Sequence, residues 1–154
     1  MSRAFVRETE AEVIELPDRP ISPHPNFVTS SGLAKIDARV QELNAARDAA
    51  VMAEDTHALA GIDRELRYWR QRRDSARIIV PPSAPDVVRF GVNVQLHFDD
   101  GSARDFRLVG EDEADPASGL LSWTSPVGKA LIGHRVGDVF EVLGHEAEIT
   151  ELHT

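Results

Sequence analysis

Four acids in five positions, Glu111, Asp112, Glu113 and Asp115, are the densest cluster of potential cation ligands in this sequence. A calcium loop needs oxygen ligands at alternating positions and a closing bidentate glutamate, and this run has neither. Six histidines, His24, His57, His97, His134, His145 and His153, show no His-x-x-x-His or comparable ligand spacing, so they do not read as a metal site. There is no cysteine, which excludes a thiolate centre, a cysteine nucleophile and a disulfide scaffold, and suits a reducing cytoplasm. Gly-x-Ser-x-Gly, P-loop and dinucleotide fingerprints are missing. These residues do not add up to an autonomous enzyme with a cofactor of its own.

Three smaller features remain. Glu54 and Asp55 are adjacent acids within Met52-Ala53-Glu54-Asp55-Thr56-His57. If that stretch is a helix-helix turn, Asp55 or Thr56 can cap the following helix. Residues 59–79 hold 6 Arg and 3 acids, against 12 acids and 5 Lys/Arg over residues 89–154. Arg64, Arg67 and Arg70 either contact phosphates or a partner's acids, or form a solvated face pairing with Asp63, Glu65 and Asp74. Tyr68-Trp69 reads as core packing or, less simply, as a base-stacking pair.

The elements that must position these groups follow from the pattern. The net charge of -9 argues against free duplex DNA as the main partner. With 42% hydrophobic and 28% charged residues, the composition is that of a folded protein. Met1 to Glu15 lacks the apolar stretch of a signal peptide, and no run approaches the ~18 apolar residues of a membrane span, so a cytoplasmic protein with no membrane partner is expected. Pro17, Pro20, Pro23 and Pro25 make residues 1–28 an extended tail. From the caps at Thr29-Ser30-Ser31, Leu33, Ile36, Val40, Leu43, Arg47 and Ala50 recur at heptad-like spacing. Leu59, Ile62, Leu66, Trp69, Arg73 and Ala76 do so again. The expectation over 29–79 is an antiparallel coiled-coil hairpin with arms of about 20 residues, roughly 30 Å long, projecting as a finger.

Pro81-Pro82-Ser83-Ala84-Pro85 marks a stiff linker over 80–86. Residues 87–154 then read as an α+β unit. Strands are expected at Val87 to Phe98, Phe106 to Val109, Leu120 to Thr124, Val139 to Val142 and Ala147 to Leu152, with a hairpin turn at Asp99-Asp100-Gly101-Ser102. Ser125-Pro126 opens one short helix, with Gly133 at its end.

Within that unit stand Arg89-Phe90-Gly91, Phe106-Arg107-Leu108-Val109-Gly110-Glu111-Asp112-Glu113-Ala114-Asp115, Leu121-Ser122, Ser125-Pro126-Val127-Gly128-Lys129-Ala130-Leu131-Ile132-Gly133 and Val136-Gly137-Asp138. This ordered series resembles the C-terminal domain of the GreA/GreB transcription elongation factors, and is also similar to the related short-hairpin regulator Rnk. The resemblance implies an FKBP-like domain behind the hairpin, docking on the rim of the RNA polymerase secondary channel while the finger enters it. It carries Asp112, Ser125 and Pro126 over as docking positions; for Arg64, Arg67 and Arg70 the alternative to a solvated face is then contact with RNA or polymerase. A monomer is expected for insertion into a channel.

In the family, acids at the hairpin tip help hold a catalytic Mg²⁺ of the polymerase, which then hydrolyses backtracked RNA. The family's tip string Gly-Asp-Leu-x-Glu-Asn is absent here, and the tip acids are Glu54 and Asp55. The hairpin is also shorter by about nine residues per arm, which removes on the order of 13 Å of reach. Mg²⁺ ligands sit near ~2.1 Å, so a finger docked by the same base is expected to stop short of the metal. Polymerase binding without cleavage is therefore the first reading. A full transcript-cleavage factor, or an interaction module with another protein target, stays open.

Overall fold

The computed structural model of the protein describes residues 15–154; the first half of the expected tail, residues 1–14, lies outside the described residues. Helix α1 (Ser30–Met52) and helix α2 (Thr56–Ser75) are joined by Ala53 to Asp55 and fold back on each other. Thr29 caps α1 by accepting from Gly32 N at 2.9 Å. The seam is the expected one in its middle: Val40, Leu43 and Leu66 are buried together, with Ile62 and Trp69 packed against them. A single stripe of this kind leaves the outer face of α1 largely to water.

The C-terminal half is a five-stranded sheet in the order β5-β4-β3-β7-β6, built from β3 (Asn93–Phe98), β4 (Ala103–Val109), β5 (Leu120–Ser122), β6 (Val139–Val142) and β7 (His145–His153). All neighbours are antiparallel except β4 and β5. Alternation fixes its inner face: Val92, Val94, Leu96, Leu108 and Ile149 are fully buried. Helix α3 (Pro126–Leu131) closes that face through Leu131. Gly128 is needed there, because a Cβ would stand 2.2 Å from Ser122 O on β5. The chain is α+β, a helical hairpin followed by a sheet with one short helix.

Two details differ from the sequence reading. The strand expected from Val87 begins only at Asn93. Gly91, at φ 84°, breaks the extended run, and its N–H donates to Leu108 O at 2.8 Å, so residues 87–92 form a turn that still buries Val88 and Phe90. The second difference is a parallel pair of two-residue strands, β1 (Phe27–Val28) and β2 (Arg77–Ile78). Arg77 N to Asn26 O at 2.9 Å and Ile79 N to Val28 O at 3.0 Å extend it. The chain thus leaves for the hairpin and returns from it at one clasp. Among the described residues, no helix is long and apolar enough to cross a membrane.

Candidate functional site

The tip is a tight turn. Glu54 adopts a left-handed conformation at φ 52° and is exposed, which lets the chain reverse within three residues. Asp55 caps α2, its Oδ1 accepting from Ala58 N at 3.0 Å. The capping role expected of Asp55 is thus observed, and half of the acid pair is engaged with its own helix. Met52, 85% exposed, and Val51 flank the acids. Among the described residues no group of three or more His, Cys, Asp or Glu is placed to hold a metal ion. What the tip can offer a cation is one or two carboxylates, with every other ligand coming from elsewhere.

At the other end of the finger the chemistry is concentrated and buried. Arg72 is 2% exposed. Its Nε donates to Asp112 Oδ2 at 2.6 Å, and its Nη2 donates to Asn26 Oδ1 at 2.8 Å and more loosely to Glu111 Oε2 at 3.4 Å. Asn26 Nδ2 returns to Arg72 O at 2.7 Å. Tyr68 Oη donates to the second oxygen of Asp112. Burial, and then the hydrogen bond to Asp112, push the Tyr68 phenol up to about 12. A buried guanidinium is tolerable only with its donors matched, and here α2, the segment before α1 and the acidic loop each supply a part.

The next acid makes a second joint. Glu113 is buried, and it accepts from Thr29 Oγ1 and from Ser31 Oγ at 2.7 Å, with Lys35 Nζ at 3.8 Å. A carboxylate at the start of α1 also meets the positive end of the helix. Gly110 lets the loop approach this closely, since a Cβ there would lie 2.4 Å from Phe27 O. Glu111 reaches the third direction, accepting from Ser22 Oγ at 2.9 Å and Thr124 Oγ1 at 3.0 Å. Beside Thr124, Ser125 caps α3 by accepting from Gly128 N at 3.1 Å and donates to Ser122 O at 2.7 Å, while Pro126 at the first helical position is exposed.

The extended segment 15–28 runs through all of this. Phe27 packs between Phe90 and Trp123, with ring centroids 6.1 and 5.0 Å away, and His24 meets Trp123 edge-on at 5.8 Å. Towards residue 15 the segment crosses α2. Pro17 O accepts from Arg64 Nε at 2.7 Å, and Asp18 accepts from Arg67 Nε. Arg19 pairs with Glu65 at 2.8 Å and lies 3.7 Å over the Tyr68 ring. Arg70 instead reaches Asn44 at 2.7 Å, and Arg47 pairs with Asp63 at 2.7 Å.

Sequence comparison now decides the family. The family described as "Transcription elongation factor, GreA/GreB, C-term" matches residues 82–152. The transcription elongation factor GreB of Yersinia pestis is 32% identical over 144 residues, covering 81% of this chain and 84% of that protein. This chain belongs to the GreA/GreB family. GreB of Neisseria meningitidis serogroup B is 40% identical over 79 residues, and the chain spans about half of that relative, 48% of its length. A solved GreA/GreB structure from Nitrosomonas europaea covers 84% of the chain at 20% identity, with a TM-score of 0.43.

In this GreA/GreB member the acidic loop faces inward. Asp112, expected at a docking surface, has its side chain 8% exposed and both oxygens occupied by Arg72 and Tyr68. Ser125 is engaged in its cap, and Pro126 is the exposed one of the three. The tip acids and the arginine face lie apart from them, along the finger. Tyr68 serves the joint, with Arg19 over its ring, and Trp69 serves the seam. Of the two partners expected for the arginines, nearby acids of α2 or an outside RNA or protein, the first is not seen at Arg64 and Arg67, which are held by residues 16–18. The residues that sequence reasoning missed are Arg72, Asn26 and Thr29 as partners of the acidic loop. The one available signal was the excess of six Arg over three acids in residues 59–79, which does not single out Arg72.

Proposed function

We propose that this protein is an RNA-polymerase-binding transcription elongation regulator that docks at the secondary channel and admits its short finger. Family membership supports the class of function. The observation that carries the reading is the pair of buried joints at Arg72–Asp112 and Glu113–Thr29, which fix a projecting hairpin on a separate sheet domain while leaving its tip in water. A finger held rigidly at its base keeps the position of its tip once the base is docked, with little ordering entropy left to lose on binding.

In this reading the parts are a tail 1–28, the hairpin 29–79, the linker 80–86 and an FKBP-like docking domain 87–154, acting as a monomer in the cytoplasm. The exposed Pro126 and the Ser125-capped start of α3 lie on the docking side. Asp112 acts there through the loop it holds in place. Arg64, Arg67 and Arg70 face RNA or polymerase inside the complex. The protein binds no cofactor independently and is at most a cofactor of the polymerase. Glu54 and Asp55 lie at the end of a finger about two and a half turns short of the family's length, so the polymerase Mg²⁺ is out of reach and transcript cleavage is not stimulated.

The test is a stalled, backtracked elongation complex with the cognate polymerase, Mg²⁺ and purified protein. No transcript shortening, with displacement of a cleavage-active Gre factor, is the expected result. Shortening that is lost in Glu54→Ala with Asp55→Ala overturns the geometric objection and makes the chain a cleavage factor. If the transcript is not shortened and the Gre factor is not displaced, the polymerase assignment falls.

A further inference from the structure

The segment before α1 is held in two unequal ways. Residues 22–29 are anchored. Asn26, Val28 and Thr29 are 6%, 3% and 3% exposed, Phe27 is wedged between two aromatic rings, and the clasp with β2 ties the backbone. Residues 15–18 are held only from outside. Leu16 is 37% exposed, and the Asp18 and Arg67 side chains are 73% and 49% exposed. An open cleft of about 580 Å³, lined by Leu16, Pro17, Asp18, Ala60, Asp63 and Arg67, remains between this stretch and α2. The stretch lies over α2 without being packed into it.

The groups it offers are all anionic or electron-rich. Pro17 O takes Arg64 Nε at 2.7 Å, Leu16 O takes Arg67 Nη2 at 3.3 Å, and the Asp18 carboxylate takes Arg67 Nε. An extended chain thus presents a row of oxygens to two guanidinium groups one helical turn apart. The sequence leading into it is matched in charge: between residues 8 and 18 stand Glu8, Glu10, Glu12, Glu15 and Asp18, with no Lys or Arg. Guanidinium forks bind phosphate oxygens in the same geometry as carboxylates.

We propose that residues 15–18 are an intramolecular mask, occupying Arg64 and Arg67 in place of the phosphate backbone of single-stranded RNA and giving way to it. This rests on the reading above that the arginine face contacts RNA, and it adds the regulation of that face. Asp18 to Arg67 is an exposed ion pair, the kind that contributes little and is screened by salt. The tether at residues 22–29 keeps the mask at high effective concentration, so weak contacts suffice to exclude weak or non-specific anions. A phosphate chain already held nearby in a larger complex displaces it. The mask therefore raises the threshold for binding without closing the face.

The experiment measures binding of a fluorescent ten-nucleotide oligouridine to the full chain by anisotropy at low and high salt. Asp18→Lys repels Arg67 and opens the mask; Asp74→Lys changes the charge equally on an exposed α2 position that pairs with Arg73 and makes no hydrogen bond or ion pair with residues 15–18. Asp18→Lys is expected to tighten binding roughly three- to tenfold more than Asp74→Lys, with the gap closing as salt rises. Because the chain has no cysteine, Leu16→Cys gives a unique label, and its reactivity with a thiol reagent should rise when the RNA is added. Equal gains from both lysines, or a Leu16→Cys label indifferent to bound RNA, overturn the mask while leaving RNA binding in place. If Arg64→Glu with Arg67→Glu does not weaken RNA binding, the reading of the arginine face has failed, and the mask falls with it. A gain for polyglutamate in place of oligouridine overturns the nucleic-acid occupant.

Discussion

Replacing Asp112 by alanine separates two roles that the sequence alone merges. If Asp112 were a surface contact, the variant would lose affinity for its partner and keep its stability. In the structure its two oxygens hold a guanidinium that is 2% exposed and the Tyr68 hydroxyl. Removing one partner of such a pair leaves the other charge buried, a loss of about 3–5 kcal/mol. Asn26 Oδ1 at 2.8 Å and Glu111 at 3.4 Å still reach Arg72, which puts the expectation near the lower end, about 3 kcal/mol. For a chain of this size that is a fall in melting temperature of roughly 6–12 °C. Thermal unfolding followed by circular dichroism gives the number. The partner variant Arg72→Met with Asp112→Leu removes both charges and should recover part of the loss, because no charge is left buried while the Tyr68 hydroxyl and Asn26 Oδ1 lose a partner. An Asp112→Ala protein that melts within about 1 °C of the parent refutes the buried joint.

Two further outcomes follow from the same region. Tyr68 is the only tyrosine in the chain, so phenolate absorbance reports it alone, and titration is expected at about 12 against an ordinary 10.0. Since the folded value is the higher one, its contribution to stability is intact below about pH 10 and lost as pH climbs through about 12, and Tyr68→Phe should remove that alkaline loss. Gly110→Ala places a methyl group 2.4 Å from Phe27 O and must push the clasp away from the loop, so faster proteolysis around residues 22–29 is expected, with no change in a Gly61→Ala control that meets nothing within 4 Å.

The middle of the finger was legible because a packed pair of helices writes its own period: Ile36, Val40, Leu43 and Leu66 all lie where the spacing puts them. Extending that period to the end of α2 gave Arg73 as the seam residue, whereas Arg72 is buried and Arg73 is exposed. At its base α2 turns from α1 towards the acidic loop, and the inward direction moves by one residue, about 100° around the helix. The strands were legible from alternation, except where Gly91 interrupts it. The inward role of Glu111, Asp112 and Glu113 was not legible, because their partners other than Thr124 lie 39 to 89 residues away and no local pattern connects them. Residues 15–28 have no period at all. Their prolines dictate an extended chain, and only the structure says what it lies against.

The clasp of β1 with β2 has a consequence for how such proteins vary. Entry to and exit from the hairpin are stapled side by side, so everything between Thr29 and Ala76 is an excursion whose start and finish are fixed independently of its length. Matched insertions of one heptad in each arm would carry the tip about 10 Å outward and leave both buried joints where they are. Reach and attachment are separate quantities in this architecture. A lineage can therefore shorten or lengthen its probe, and with it change what the tip touches, without redesigning the part that holds on.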